Sequence, residues 1–276
     1  MRKLFVTFAA LWLTVAFTSC NHATSKQEKT NDSTQVAKQS PDDAGKPTPN
    51  SAAQIMARPE VPVLCYHRIT EGRKGDYTVS PATFAAHIKI LADSGYHAIS
   101  PAQLYDYLVY NKSLPAKPVM ITFDDSREEH SAIAAPTLEK YGFRGVFFIM
   151  TITYDKKNYM TKEQIAQLAK SGHTVGLHTW DHTMVTKFKT EEDWQKEIAQ
   201  PKEKLEKITG KPVEYIAYPN GVYNHESAEK MSKYMKLSFS LSTKRDTLLP
   251  LQSIRRIIVP DMSATSLLKS MRRNFK

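Results

Sequence analysis

Apolar and polar positions fall into two kinds of run between residues 59 and 276. Short apolar blocks, rich in β-branched and aromatic residues, occur at 61–66, 97–99, 119–123, 145–150, 173–178, 214–218, 237–241 and 254–259. Blocks of this length, bounded by turn residues, read as buried strands. Between them lie stretches with apolar residues at helical spacing. Ser80-Pro81 opens one as N-cap and first helical residue, Phe84, Ile88 and Leu91 form its stripe, and Gly95 closes it. Residues 132–141 and 162–171 repeat the design, each followed by a glycine. Residues 191–209 make a longer charged helix ending at Gly210, which Pro201 is expected to kink or restart. Strands alternating with helices predict an α/β fold on a parallel sheet.

The first 58 residues follow neither pattern. Met1-Arg2-Lys3 is a short positive start, and Leu4 to Thr18 is apolar but short for a membrane span, which fits a secretory signal. Phe17-Thr18-Ser19-Cys20 then resembles a bacterial lipoprotein cleavage site, with Cys20 the lipidated residue of segment 1–20. Residues 21–58 are dominated by Ser, Thr, Lys, Gln, Asn, Asp and Pro, too polar to bury a core, and read as a flexible, disordered tether. The expectation is an exported protein held by a lipid anchor on the cell envelope, at the outer membrane. Residues 59–276 suffice for one domain with a core of its own, expected to be a monomer.

The net charge of +10 suits an anionic envelope or polymer. No nucleic-acid-binding motif accompanies it. The chain has two cysteines, so lipidation of Cys20 leaves Cys65 alone, without a disulfide partner and packed in an apolar strand.

Candidate chemistry sits just after two of the strand blocks. Asp124 and Asp125 follow the run Val119 to Phe123, and so lie at the C-terminal end of a strand, where α/β barrels build their sites. Neighbouring side chains on an extended segment point apart, so both carboxylates can share a site only if the strand end bends. His178 and His182 follow the block 173–178; on a helical turn, a spacing of four would put both on one face. Two imidazoles and one carboxylate suit Zn²⁺, and also Co²⁺, Ni²⁺ or Fe²⁺. The remaining carboxylate would be free to act as a base.

Thr122-Phe123-Asp124-Asp125 followed by His178-Thr179-Trp180-Asp181-His182 resembles the first two motifs of the polysaccharide deacetylases, carbohydrate esterase family 4. The resemblance extends over roughly 60–260 and includes Val61 to Ile69, Ile208 to Val213 and Ile216 to Gly221. It implies a distorted (β/α) barrel. It also implies Asp124 as general base, with Asp125, His178 and His182 as metal ligands. A main-chain donor for the oxyanion would come from the turn Tyr218-Pro219-Asn220-Gly221, at Asn220.

The chain departs from the common pattern in two places. Ala217 stands where an arginine often orients the base, and Arg255 or Arg256 is the candidate substitute. No histidine follows His225 to serve as a late general acid. His67, at the end of the first strand block, is the candidate acid, as in members similar to poly-β-1,6-N-acetylglucosamine N-deacetylases. The leading expectation is therefore N-deacetylation of an N-acetylglucosamine polysaccharide. O-deacetylation of acetylated glycans and a catalytically degenerate glycan-binding lipoprotein are the alternatives. Tyr66, Trp180, Tyr218 and Tyr223 are candidates to line a slot for the acetyl methyl or stack on a sugar.

Overall fold

The computed structural model describes residues 48–72 and 75–275. Its elements in chain order are α1 (Ala52–Met56), β1 (Val63–Tyr66), β2 (Arg68–Ile69), β3 (Thr78–Val79), α2 (Pro81–Asp93), β4 (His97–Ala98), α3 (Pro101–Tyr110), β5 (Pro118–Phe123), α4 (Ala135–Lys140), β6 (Val146–Ile149), α5 (Lys162–Lys170), β7 (Thr174–Leu177), α6 (Glu191–Trp194), α7 (Gln200–Thr209), β8 (Tyr215–Ala217), α8 (His225–Met231), β9 (Leu237–Ser240), β10 (Ile254–Arg255), β11 (Ile257–Ile258) and α9 (Ala264–Asn274).

The main sheet runs β10-β9-β8-β7-β6-β5-β1-β11, with β4 also on β5, and its pairings are parallel. Only Arg256 separates β10 from β11. One extended run therefore pairs with β9 through its first half and with β1 through its second. The sheet closes into a barrel at this point. Arg256 N–H donates to Ser240 O at 3.1 Å on one side of the break, and Val259 N–H donates to Cys65 O at 3.0 Å on the other. This is the distorted (β/α) barrel that the resemblance implied.

β1, β6 and β9 are buried at every position, as parallel strands covered on both faces must be. Their side chains sort with period two. Leu64, Tyr66, Ile121, Phe123, Phe147 and Ile149 pack with the stripe of α2, Phe84, Ile88 and Leu91. Val63, Met120, Val146, Phe148, Ala217 and Phe239 form the other layer, joined by Ile55 of α1 and Leu104 and Leu108 of α3. Gly176 makes room in that second layer. A Cβ there would lie 2.6 Å from the Phe148 ring and 2.9 Å from Tyr215 O.

The helix ends carry the expected signals. Ser80 accepts from Thr83 N–H ahead of Pro81, and Gly210 takes φ +65° after α7. The long charged run 191–209 restarts, as Pro201 predicted, as α6, a π-helical turn at Gln195–Ala199, then α7 with Pro201 in its first turn. The same device precedes α4, where a π-helical turn at His130–Ala134 leads into Pro136. A proline offers no N–H to the turn before it, and a widened turn absorbs that loss.

The tether boundary needs correction. Residues 48–58 belong to the fold, because Ser51 and Gln54 form a capping box on α1 and Ile55 is buried. Asn50 Nδ2 also donates to Leu108 O at 2.7 Å. Cys20, the signal and most of the expected tether lie outside the described residues.

Candidate active site

Asp124 extends the strand ladder past β5, donating its N–H to Tyr66 O at 3.0 Å. The chain then turns sharply, with Asp125 at φ +76° and Ser126 at φ +57°. These are left-handed conformations that non-glycine residues adopt only when neighbours hold them. Ser126 supplies part of that hold. Its Oγ accepts from Met150 N–H at 2.7 Å and its carbonyl from Met160 N–H at 3.0 Å. The bend brings both carboxylates into one pocket, the condition that the sequence left open.

His178 follows β7 and donates from Nδ1 to Ala217 O at 2.8 Å. A carbonyl can only accept, so Nδ1 carries the hydrogen and Nε2 presents a lone pair to the pocket. No helical turn joins His178 to His182, contrary to the reading of their spacing. The segment is a tight turn with Thr179 at φ +61° and His182 at φ +75°. His182 N–H donates to Thr179 Oγ1 at 3.0 Å, and Trp180 N–H donates to Glu197 Oε2 at 3.2 Å. Glu197 is 3% exposed and sits in the π-helical turn before Pro201, so a proline some twenty residues away helps shape the histidine turn.

Asp125 Oδ1 lies 3.6 Å from His178 Nε2 and 3.7 Å from His182 Nε2. One donor atom from each of the three residues falls within 4.8 Å of the others. The set fits a tetrahedral or five-coordinate cation with open positions. The field agrees. Burial lowers the pKa of His178, but Asp124 and Asp125 outweigh it and hold it above the ordinary value, so the site favours positive charge between these donors.

Asp124 is buried, and Arg256 grips it with two charge-assisted bonds of 2.7 and 2.8 Å. Burial alone would push this carboxyl up; the guanidinium, with His178, pulls it well below the usual carboxylate range. The bidentate partner is thus Arg256. Arg255 turns the other way, to Glu60 at 3.1 Å and Asn274 O at 3.2 Å. Cys65 donates its thiol to Asp124 Oδ2 at 3.5 Å. His67 Nε2 stands 3.9 Å from the same oxygen, its ring edge-on to Tyr77. The fully buried His130 donates Nε2–H to the His67 carbonyl, fixing the backbone that carries that ring.

In the turn after β8, Asn220 takes φ +56° and Gly221 φ +67°. Gly221 N–H is spent on Tyr218 O at 2.8 Å, and Pro219 has none. Asn220 N–H has no acceptor among the described residues and borders the pocket. Tyr218 offers no donor there, since its N–H goes to Phe239 O at 3.0 Å and its O–H to Gln252 O at 3.1 Å.

The pocket encloses about 290 Å³ and is lined by His67, Asp124, Asp125, His178, His182 and Asn220, with Arg68, Tyr77, Arg127, Gly221 and Leu241. Tyr66, Trp180, Tyr218 and Tyr223 are not among its walls. Tyr66 and Tyr218 are core residues, Tyr223 stacks on Tyr218 and Trp180 carries the Lys196 ammonium on its ring. Tyr77 and Leu241 supply the aromatic and apolar surface instead. Sequence reasoning passed over Glu197, His130, Arg127 and Leu241. The one local signal was the pair of prolines, 136 and 201, that set the two π-helical turns.

Comparison with known proteins gives the same picture. Residues 111–236 match the family model for polysaccharide deacetylase. YxkH of Bacillus subtilis (strain 168), which bears the name of a polysaccharide deacetylase, is 32% identical over 174 residues, 63% of this chain and 61% of its own length. The poly-β-1,6-N-acetyl-D-glucosamine N-deacetylase of Staphylococcus epidermidis is 25% identical over 188 residues, 62% of this chain and 64% of its own. The chain thus spans a little over three-fifths of these relatives. The Streptococcus pyogenes deacetylase PplD, solved with acetate, superposes with a TM-score of 0.71 at 26% identity, covering 78% of this chain and 99% of that one. Residues 111–236 thus match a polysaccharide deacetylase domain, set in a barrel similar to that of a solved deacetylase.

Proposed function

We propose that this protein hydrolyses the acetamide of N-acetylglucosamine units in a polysaccharide, releasing acetate and a free amine. The observation that carries the reading is one pocket holding a guanidinium-locked carboxylate, Asp124, beside the donor triad Asp125, His178 and His182. When bound by that triad, a divalent metal, Zn²⁺ for this mixture of nitrogen and oxygen, supplies Lewis-acid polarisation and a water of lowered pKa.

The chain's own groups do the rest. Asp124 Oδ2 faces the imidazoles of His67 and His178, at 3.9 and 4.0 Å, and is the atom placed to take the proton of the attacking water. Arg256 keeps that carboxylate ionised and oriented. His67 Nε2, beside the same oxygen, delivers a proton to the leaving amine. Asn220 N–H meets the developing oxyanion. Leu241 contacts the acetyl methyl, and the half-exposed Tyr77 stacks on the sugar at the rim.

Poly-β-1,6-N-acetylglucosamine is the favoured polymer. Its support is the early position of His67 in the chain and the similarity to the S. epidermidis enzyme. Export and lipid attachment at Cys20 would hold the domain near such a polymer. Incorporation of labelled lipid that is lost in Cys20→Ala tests that part.

The test of the reaction is acetate and amine release from poly-β-1,6-N-acetylglucosamine oligomers by Zn²⁺- or Co²⁺-loaded protein, beside Asp124→Asn. Matched acetate and amine that vanish in the variant support the reading. Acetate without amine from acetylated glycans would move it to O-deacetylation. Tight glycan binding with no acetate from any substrate would move it to a binding protein.

A further inference from the structure

The charges around the pocket are nearly all committed. Asp124 is paired with Arg256, and Arg68 is bridged to Glu129. Asp125 faces the two histidines. Arg127 is different. It lines the pocket, yet no carboxylate among the described residues pairs with it. Its guanidinium lies 4.5 Å from the centre of the Tyr159 ring, and its Nε is buried without a partner.

Its backbone is fixed. Arg127 forms an antiparallel bridge with Tyr159, and Glu128 N–H donates to Asn158 O at 3.2 Å. The ring beneath leaves the terminal nitrogens of the guanidinium as its outward donors. The loop that holds it also carries Lys156 and Lys157, which have no carboxylate partner among the described residues, against the exposed acid of Glu128. Arg127 is therefore a preorganised cation in the pocket wall, short of an anion, with the two lysines outside the pocket adding to the local positive charge.

We infer that Arg127 makes the site selective for an acidic glycan, one with a carboxylate on the sugar beside the acetamido residue under attack. A planar guanidinium backed by an aromatic face matches a carboxylate with two parallel hydrogen bonds. The same cation repels an ammonium. A neighbouring unit that has already lost its acetyl group therefore binds poorly, and deacetylation is spaced along the polymer rather than run contiguously. This rests on the deacetylase reading alone and not on the neutral polymer favoured above: it ranks a mixed polymer with acidic sugars ahead of poly-β-1,6-N-acetylglucosamine.

The experiment compares three β-1,6-linked oligomers with the Zn²⁺-loaded full chain. One is neutral N-acetylglucosamine, one has a uronic acid next to the acetylated residue, and one has glucosamine there. The expected order of kcat/KM is acidic, neutral, cationic, with roughly five- to tenfold between the first two, as for one partly exposed charge-assisted contact. In Arg127→Gln that ratio falls to near unity. Arg127→Lys keeps part of it, and added salt shrinks it in the wild type but not in Arg127→Gln. An equal ratio in wild type and Arg127→Gln, or no preference in the wild type, overturns the inference. Absence of acetate from all three oligomers counts against the deacetylase reading alone. The affinity ratio for the same oligomers, measured by calorimetry, then decides on Arg127 in the same terms.

Discussion

Arg256 and Asp124 are joined by two hydrogen bonds of 2.7 and 2.8 Å across 132 residues of chain. Both are buried, so each is the other's largest compensation for leaving water. Removing the guanidinium strands a buried carboxylate. Arg256→Ala is expected to lose roughly 3–5 kcal/mol of stability and at least a hundredfold in acetate release, whereas Arg255→Ala, whose partners Glu60 and Asn274 O lie away from the pocket, should cost less stability and leave acetate release near the wild-type level. Urea denaturation of both variants, alongside turnover, checks the contrast; equal losses would show that Arg256 has no special hold on Asp124.

Metal should bind through Asp125, His178 and His182. Alanine at any of the three is expected to abolish stoichiometric Zn²⁺ in purified protein. A chelator should lower the midpoint of thermal unfolding, because a ligand at a hundred times its Kd adds about 2.7 kcal/mol. Zinc content that survives all three substitutions would place the site elsewhere.

Glu197 should matter to that metal without touching it. Its carboxylate accepts from Trp180 N–H within the turn that presents His182. Glu197→Ala is expected to weaken Zn²⁺ affinity by roughly 10–100-fold, the usual range for groups that orient ligands. Glu197→Gln, which keeps an acceptor, should lose less. Direct titration of metal-free protein reads this separately from turnover.

Gly221 cannot be replaced cheaply. A Cβ there would meet Leu241 Cβ at 2.3 Å, and its φ of +67° is unfavourable for other residues. Gly221→Ala should displace the Asn220 turn and cut turnover while the metal stays bound. Asn220→Gly, by contrast, relaxes a left-handed residue and keeps the main-chain N–H, so it should retain most activity. Full activity in the first variant, or loss of activity in the second, would rule out the Asn220 N–H as oxyanion donor.

Acid should weaken the fold through buried histidines. Burial pushes His130 down to about 4, against the opposing pull of its hydrogen bond to the His67 carbonyl and of the Glu129 and Asp125 charges, and it lowers His87 and His173 as well. The unfolded chain therefore binds more protons than the folded one between pH ~6.5 and pH ~4. The His130 contribution is complete above that window and fades as pH falls through it, by about 3 kcal/mol. The change in unfolding free energy between pH 7.5 and pH 4.5 should be smaller in His130→Asn than in the wild type by about that amount; identical changes would remove His130 from the account.

Much of the barrel was legible because strands covered on both faces must be apolar throughout, and helices between them must carry a stripe. Phe84, Ile88 and Leu91 did reveal α2, and Pro201 did mark the restart at α7. The site was legible where a motif is contiguous, as at Asp124-Asp125. It was not legible where geometry overrides spacing. The histidine turn from His178 to His182 uses left-handed residues that no periodicity signals, and Glu197 reaches it from another segment. The choice between Arg255 and Arg256 depended on a break in the last strand. α1 was hidden inside a polar stretch because one buried Ile55 and one capping box suffice for five residues.

That break also fixes when the site comes into being. β10 and β11 are the last strands among the described residues, and the residue between them completes both the ring of strands and the grip on Asp124. During synthesis, every other pocket group emerges earlier, yet none has its final environment until this segment arrives. A nascent chain released before residue 256 would carry the base, the histidines and the turn, and be chemically silent. Closure of the β-structure and onset of competence are then a single event.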